Sequence, residues 1–347
     1  DDNVFAEFAL ASKDRLAYRL EALNFLLDSS ATGFLVVPFM ALRSQLPSPD
    51  QYLENYLLLT SGDEYELSLL TALLGRAGYE KTQRVMSPGV FSQRGDLLDV
   101  YPLEAKHPIR VEFFGDEVDT IRTFDVETQR SIETLEVLEI YPASDIILTD
   151  AEFTKGVTLL SVLTEKIDDD KAKSYFDELI SASTNHYLHK DLRQFIEFFY
   201  EKPHSLLDYF PKGTPLFIDD FQKINEMNHK IDLELADFTL SEQTLNHYLK
   251  GQSYLLDPIS KIRNYKPASF LSNFQKGLGN IKFDGLHHFN QHSMQQFFGQ
   301  MELFYTEVDR YVNQEFTVVL AVPTEKLRKS LKEIELPIQE VSPQDIQ

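Results

Sequence analysis

The sequence predicts an α/β fold in which a layer of helices and buried strands is interrupted by a small β-rich domain carrying one helix. Three observations predict it. A leucine pattern of helical period runs into an unbroken apolar tetrapeptide near the start, the middle of the chain breaks into short alternating segments punctuated by turn dipeptides, and helical patterning with an apolar strand returns after Thr149. At 347 residues the chain exceeds the usual size of one domain, so two or more packed units are expected.

Ser12 is placed as the cap of a helix over Lys13 to Asp28, with Leu16, Leu20, Leu23 and Leu27 recurring on one face. Gly33 leads into Phe34-Leu35-Val36-Val37, read as a strand buried on both faces and ended by Pro38 and the Pro47/Pro49 loop. The chain enters this layer without a complete strand before its first helix, so it is expected to begin inside a domain. From Tyr56 to Pro142 short strands are separated by Ser87-Pro88-Gly89, Arg94-Gly95-Asp96 and Gly115-Asp116, with one helix over Glu64 to Ala77. Helices are expected over Asp150 to Ile180 and Lys190 to Phe199, with Asp168-Asp169-Asp170 as a solvated junction. A buried strand at Leu216-Phe217-Ile218, a helix over Gln222 to Ile231, a closing strand over Thr317 to Leu320 and a helix from Glu325 complete the layer.

The formal net charge of −22 opposes a phosphate backbone, because nucleic-acid affinity comes largely from Lys and Arg displacing counterions. DNA binding by this chain alone is therefore not expected. No apolar run approaches the roughly 20 residues that cross a bilayer. No basic-then-apolar leader opens the sequence, and the absence of cysteine excludes disulfides and thiolate zinc sites, so a reducing cytoplasm is the expected location.

Read as a strand, Ile109 to Phe114 alternates: Ile109, Val111 and Phe113 face a core, while Arg110, Glu112 and Phe114 face away. A cation, an anion and a large aromatic on one face are the ingredients of a binding hot spot, although a solvated face with a cross-strand ion pair has the same composition. Upstream, between Glu66 and Asp96, Arg76, Lys81, Arg84 and Arg94 meet a single acid, Glu80, which suggests a local basic patch or merely scattered surface residues.

The run Phe91-Ser92-Gln93-Arg94-Gly95-Asp96-Leu97-Leu98-Asp99-Val100-Tyr101-Pro102, continued by Ile109-Arg110-Val111-Glu112-Phe113-Phe114-Gly115-Asp116-Glu117-Val118, strongly resembles the signature of the UvrB domain that binds the damage-recognition ATPase UvrA. Ile121-Arg122-Thr123-Phe124-Asp125-Val126-Glu127-Thr128-Gln129-Arg130-Ser131 looks like the bacterial transcription-repair coupling factors, since UvrB usually has Thr-Gly in place of Thr128-Gln129. Gly33-Phe34-Leu35-Val36-Val37-Pro38 is similar to a strand late in the first part of the same family's UvrB-like module. The resemblance covers nearly the whole chain and implies a degenerate helicase-like α/β domain interrupted by a small β-rich α+β domain. Residues 1–55 would be the first part of the α/β domain, incomplete at its start, 56–149 the UvrA-binding-like domain and 150–347 the remainder.

Carried over position by position, the resemblance implies UvrA contacts at Arg94, Arg110, Glu112 and Phe114. Lys81 keeps the charge of a UvrB arginine, Ser92 replaces another arginine, and Arg84 is added from the local charge pattern. The resemblance also raises the carboxy-terminal part of the same full-length protein as a candidate second partner for this surface. RNA polymerase and DNA would be reached only through regions outside this chain.

Nucleotide hydrolysis requires a glycine-rich loop ending in Lys and Ser or Thr, and this chain has none, so neither cofactor nor catalytic residue is expected. Asp208-Tyr209-Phe210-Pro211, followed by Leu216-Phe217-Ile218-Asp219-Asp220, resembles the UvrB segment carrying its magnesium-coordinating acidic motif, with Asp220 where that motif has Glu. Without a phosphate loop, Asp219 and Asp220 are expected to end a strand or cap a helix. The pairs His186/His189 and His288/His292 lack a local carboxylate and are expected to be surface or structural, so no metal site is assigned. The leading function is a protein-docking scaffold of transcription-coupled excision repair that recruits UvrA. The alternative is a fragment of a UvrB-type helicase whose motor motifs lie outside the chain.

Overall fold

The computed structural model describes residues 13–183, 190–272, 281–289, 296–297, 299–320, 329 and 331. The chain divides into two compact units, one up to residue 281 and the other from residue 282.

In the first unit, helix α1 spans Lys13–Leu27. Its leucine face behaves as the period requires: Leu20 and Leu23 are buried, with Leu16 and Leu27 packed at the margin of the same core. Ser12 lies outside the described residues. The tetrapeptide after Gly33 is extended but is not a ladder strand, which corrects the expected doubly buried strand. Leu35 and Val37 pack on the core, whereas Phe34 and Val36 are 97% and 90% exposed, because core lies against only one side of the segment. Helix α2, Pro49–Leu53, starts where Ser48 Oγ accepts the Gln51 N–H at 3.1 Å and proline occupies the first helical turn.

Strand β1 (Leu57–Thr60) pairs antiparallel with β8 (Val137–Ile140), from Leu57 opposite Ile140 to Thr60 opposite Val137. The segment between them thus enters and leaves side by side, a geometry that suits an insertion in a host chain. It contains helix α3 (Leu67–Arg76) and a six-stranded sheet ordered β2 (Glu80–Lys81), β3 (Val90–Arg94), β4 (Leu97–Tyr101), β5 (Ile109–Phe114), β6 (Glu117–Phe124) and β7 (Ser131–Leu135). Helix α3 begins three residues later than Glu64 because Glu64 bridges Glu117 and the Tyr65 N–H donates to Asp116 O. One sheet face, with Leu98, Val100, Val111 and Ile121 fully buried, packs with Leu70 and Leu74 of α3.

After Thr149, which shares a reciprocal capping box with Glu152, come α4 (Asp150–Thr164) and α5 (Asp170–Ala182). They are separated at the acidic junction, where Asp169 caps α5. The Lys190–Phe198 segment is a 3₁₀ helix with a kink at Phe195, and Phe195 and Phe199 are buried in the core under α4 and α5. Strand β9 (Leu216–Asp219) pairs parallel with β10 (Ala268–Leu271), and the connection between them carries α6 (Phe221–Thr244) and α7 (Ile259–Asn264). This strand is less buried than its apolar run implies: Ile218 is in the core, but Phe217 is 62% exposed because the sheet has one core face. Helix α6 runs well past Ile231, as no Gly or Pro interrupts it before Thr244.

In the second unit, α8 (Met301–Asn313) buries Val308, and Phe297 sits edge-on to Phe304 at 5.4 Å. Residues 317–320 form no strand, which corrects the expected closing element; Val319 is 53% exposed, so no core among the described residues covers its side chain. The helix expected from Glu325 falls largely outside the described residues. Among the described residues no helix is long and apolar enough to cross a membrane.

Candidate protein-docking face

The alternation on β5 places its residues as their order requires. Ile109, Val111 and Phe113 are buried in the core, Arg110 and Glu112 are partly covered on the opposite face, and Phe114 is 82% exposed. Antiparallel register then lines up a transverse row, Ser92–Asp99–Arg110–Arg122, across β3 to β6, and beside it Arg94–Leu97–Glu112–Thr120.

Asp99 is the centre of this face. Its side chain is buried and binds two arginines: Arg110 Nε donates to Oδ1 at 2.6 Å and Nη2 to Oδ2 at 2.8 Å, while Arg94 Nη2 reaches Oδ2 at 3.2 Å. The bidentate geometry makes the Arg110 contact a strong charge-assisted one. The Arg110 guanidinium also lies 4.5 Å from the ring centre of Phe124, and its hydrogen bonding to Asp99 pushes it further above its usual pKa. Arg110 is therefore mostly covered, whereas the Arg94 side chain is 53% exposed. Glu112 is also engaged, by ion pairing with Arg122 and by the Thr120 hydroxyl donating at 2.9 Å. Ser92, at the β3 end of the first row, is buried, and its hydroxyl finds no hydrogen-bond partner among the described residues.

The basic patch is split by the sheet. Arg84 is exposed and donates to the Val126 carbonyl at 3.2 Å, which ties it to the turn bordering the polar face. Lys81 is in register with Phe91, a core residue, and so stands in a row that belongs to the other face. Arg76 sits at the end of α3, 3.7 Å from Asp150. Sequence reasoning missed Asp99, although a lone carboxylate inside Leu97-Leu98-Asp99-Val100 was a signal: a charge in the middle of a strand needs a cross-strand partner.

Two further clusters fix the sheet-bearing segment to its surroundings. Asn24 donates to Glu104 at 2.7 Å, and Asp145, buried just after β8, binds Arg19 at 2.6 Å and also Arg193. Burial alone would raise the Asp145 carboxyl, but the charges of Arg193 and Arg19 outweigh it and hold the group well below the usual carboxylate range.

The acidic pair at the end of β9 is local architecture: the strand ends at Asp219, and Asp220 caps α6 by accepting the Lys223 N–H at 3.3 Å. His186, His189 and His292 lie outside the described residues, and among the described residues no group of three or more His, Asp or Glu is placed to hold a metal.

Residues 57–145, the segment from β1 to just beyond β8, match the UvrB interaction domain family. Most of the chain aligns with the transcription-repair-coupling factor of Bacillus subtilis (strain 168), 31% identical over 331 residues that cover 91% of this chain and 28% of that protein. The chain is a homologue of the transcription-repair-coupling factors. Those of Staphylococcus epidermidis, 29% identical over 348 residues, and Staphylococcus aureus (strain bovine RF122 / ET3-1), 30% identical over 349, each cover 97% of this chain and are covered to 30% of their own length. The chain thus spans under a third of the curated relatives it matches. The polar face with Asp99 at its centre lies inside the UvrB interaction domain, on the side of the sheet away from α3.

Proposed function

We propose that this chain is a protein-docking scaffold of transcription-coupled excision repair, and that its UvrB interaction domain receives UvrA on the polar face of the six-stranded sheet. The observation that carries the reading is the family match over residues 57–145 together with the exposed aromatic it contains, Phe114, on the same polar face as the half-exposed Arg94. An exposed phenylalanine on a face that also carries arginines is the composition of an interface anchor. Arg94 meets an acidic partner group directly and Phe114 fills an apolar recess. Arg110 and Glu112, each already bound within the chain, set the shape and charge of the surface between them. Lys81, on the other side of the sheet, contributes at most through long-range attraction.

In this reading the chain hydrolyses no nucleotide, because it contains no phosphate-cradling loop, and residues 1–55 and 150–347 form one UvrB-like α/β domain around the inserted segment 56–149. The carboxy-terminal part of the full-length protein competes for the same surface, and RNA polymerase and DNA are engaged by regions outside this chain. The test is calorimetric titration of the whole chain with purified UvrA, with labelled ATP and magnesium as a parallel ligand. Saturable UvrA binding without nucleotide binding supports the scaffold. Micromolar ATP binding lost on Asp219→Ala contradicts it.

A further inference from the structure

Gln129 occupies a backbone conformation that its residue type disfavours. Its φ is +60°, in the left-handed region, where a Cβ costs about 1 to 2 kcal/mol relative to glycine. The turn that imposes it is closed by the Gln129 N–H on Asp125 O at 2.8 Å and the Asp125 N–H on Arg130 O at 2.9 Å, with the Asp125 carboxylate accepting from the Thr128 N–H and hydroxyl. A glycine would satisfy this turn with less strain, so the side chain is what the position retains.

That side chain joins two parts of the polar face. Its Oε1 accepts from Arg110 Nη2 at 3.1 Å, and its Nε2 donates to Val126 O at 2.8 Å, the same carbonyl that accepts from Arg84 Nη2 at 3.2 Å. An arginine Nη carries two N–H groups, and Asp99 and Gln129 provide an acceptor for each of those on Arg110 Nη2. The result is a continuous path from Arg84 through the Val126 carbonyl, Gln129 and Arg110 to Asp99 and Arg94. Phe124 beneath the guanidinium closes the remaining side.

We infer that Gln129 is a positioning residue for the docking face: its amide fixes the plane of Arg110 and the edge of the turn carrying Arg84's contact, so that the surface is pre-formed before a partner arrives. This rests on the UvrA-docking reading above. Pre-forming a side chain removes ordering entropy from the binding step, so loss of the amide weakens binding without removing a direct contact.

Two variants separate this role from a structural one. Gln129→Gly loses the amide and relieves the backbone, whereas Gln129→Met loses the amide at similar size and keeps the unfavourable φ. Titrated with purified UvrA, both are expected to bind about 3- to 10-fold more weakly than wild type, the ordering cost of one side chain left unfixed, and by similar factors, although the glycine variant melts higher than the methionine variant. NMR of the Arg110 Nε–H group is expected to show faster guanidinium motion in both. Wild-type affinity in either variant, affinity losses that follow melting temperature, or an unchanged Arg110 signal would overturn the inference. If the wild-type chain fails to bind UvrA, the docking reading falls, and the Arg110 signal still decides whether Gln129 holds that side chain.

Discussion

Arg110 on β5 grips Asp99 on β4 with two hydrogen bonds of 2.6 and 2.8 Å, and both residues belong to the face expected to meet a partner. The pair ties recognition to stability. Arg110→Ala leaves a buried carboxylate whose one other ion-pair partner among the described residues is the half-exposed Arg94, so it is expected to cost about 2 to 4 kcal/mol, less than the full loss of a buried pair because Arg94 remains. Urea unfolding checks this, and a cost below about 0.5 kcal/mol, the level of an ordinary surface substitution, would show that Asp99 does not need Arg110.

Val111 follows Arg110 on β5 but points to the core face, fully buried. Val111→Asp places a charge where no partner exists and is expected to cost more than about 4 kcal/mol, abolishing the cooperative unfolding of the sheet. Circular dichroism melting reads this directly; a native-like transition would mean that the face assignment is reversed.

Asp145 carries a second prediction about charge. Its folded pKa is depressed by Arg193 and Arg19, so its contribution to stability is complete above the unfolded carboxylate value of about 3.9 and is lost as pH falls through the lower folded value. Asp145→Asn is expected to destabilise the chain by about 3 kcal/mol at pH 7 and by progressively less in strong acid. Denaturant midpoints from pH 7 to pH 2 follow the difference, and a gap between variant and wild type that widens in acid would contradict the assignment.

Glu197 behaves in the opposite sense. Burial pushes its carboxyl from 4.5 up to about 8, while Oε1 accepts the Ser253 N–H at 2.6 Å and Oε2 is buried without a partner among the described residues. A raised folded value means that the protonated form suits the fold, so stability declines as pH rises from about 4.3, the unfolded value, and levels off above about 8. Glu197→Gln keeps the acceptor and cannot ionise. It is expected to gain on wild type by roughly 4 kcal/mol between pH 5 and pH 9. Parallel stability curves for the two proteins would show that Glu197 ionises as freely folded as unfolded.

Helix α1, the β5 alternation and the acidic helix junction were legible because a local period or a local cap determines them. Phe34 to Val37 and Thr317 to Leu320 were misread for one shared reason: an apolar run shows that a segment prefers burial, but not how many core faces exist to bury it. On the candidate face, the residue types were legible and their commitments were not. The sequence left open whether Arg110 faces a partner or a cross-strand ion pair, and Asp99, eleven positions away, settles it; whether Lys81 joins Arg94 in one basic patch depends on the parallel pairing of β2 with β3, which no local pattern encodes. Gln129 carries its signal in a dihedral angle that no composition reveals.

Calorimetric titration of purified UvrA with the wild-type chain, Phe114→Ala and Arg94→Ala, each with a melting curve, reads the docking face itself. Phe114→Ala, at an 82% exposed position, is expected to melt like wild type within about 0.5 kcal/mol of stability yet to lose about 2 kcal/mol of binding, roughly thirtyfold in affinity. Arg94→Ala is expected to bind about tenfold more weakly, with a modest fall in stability from its bond to Asp99. Wild-type affinity in both variants would contradict the docking face, and a large fall in the melting temperature of Phe114→Ala would place that ring in the core.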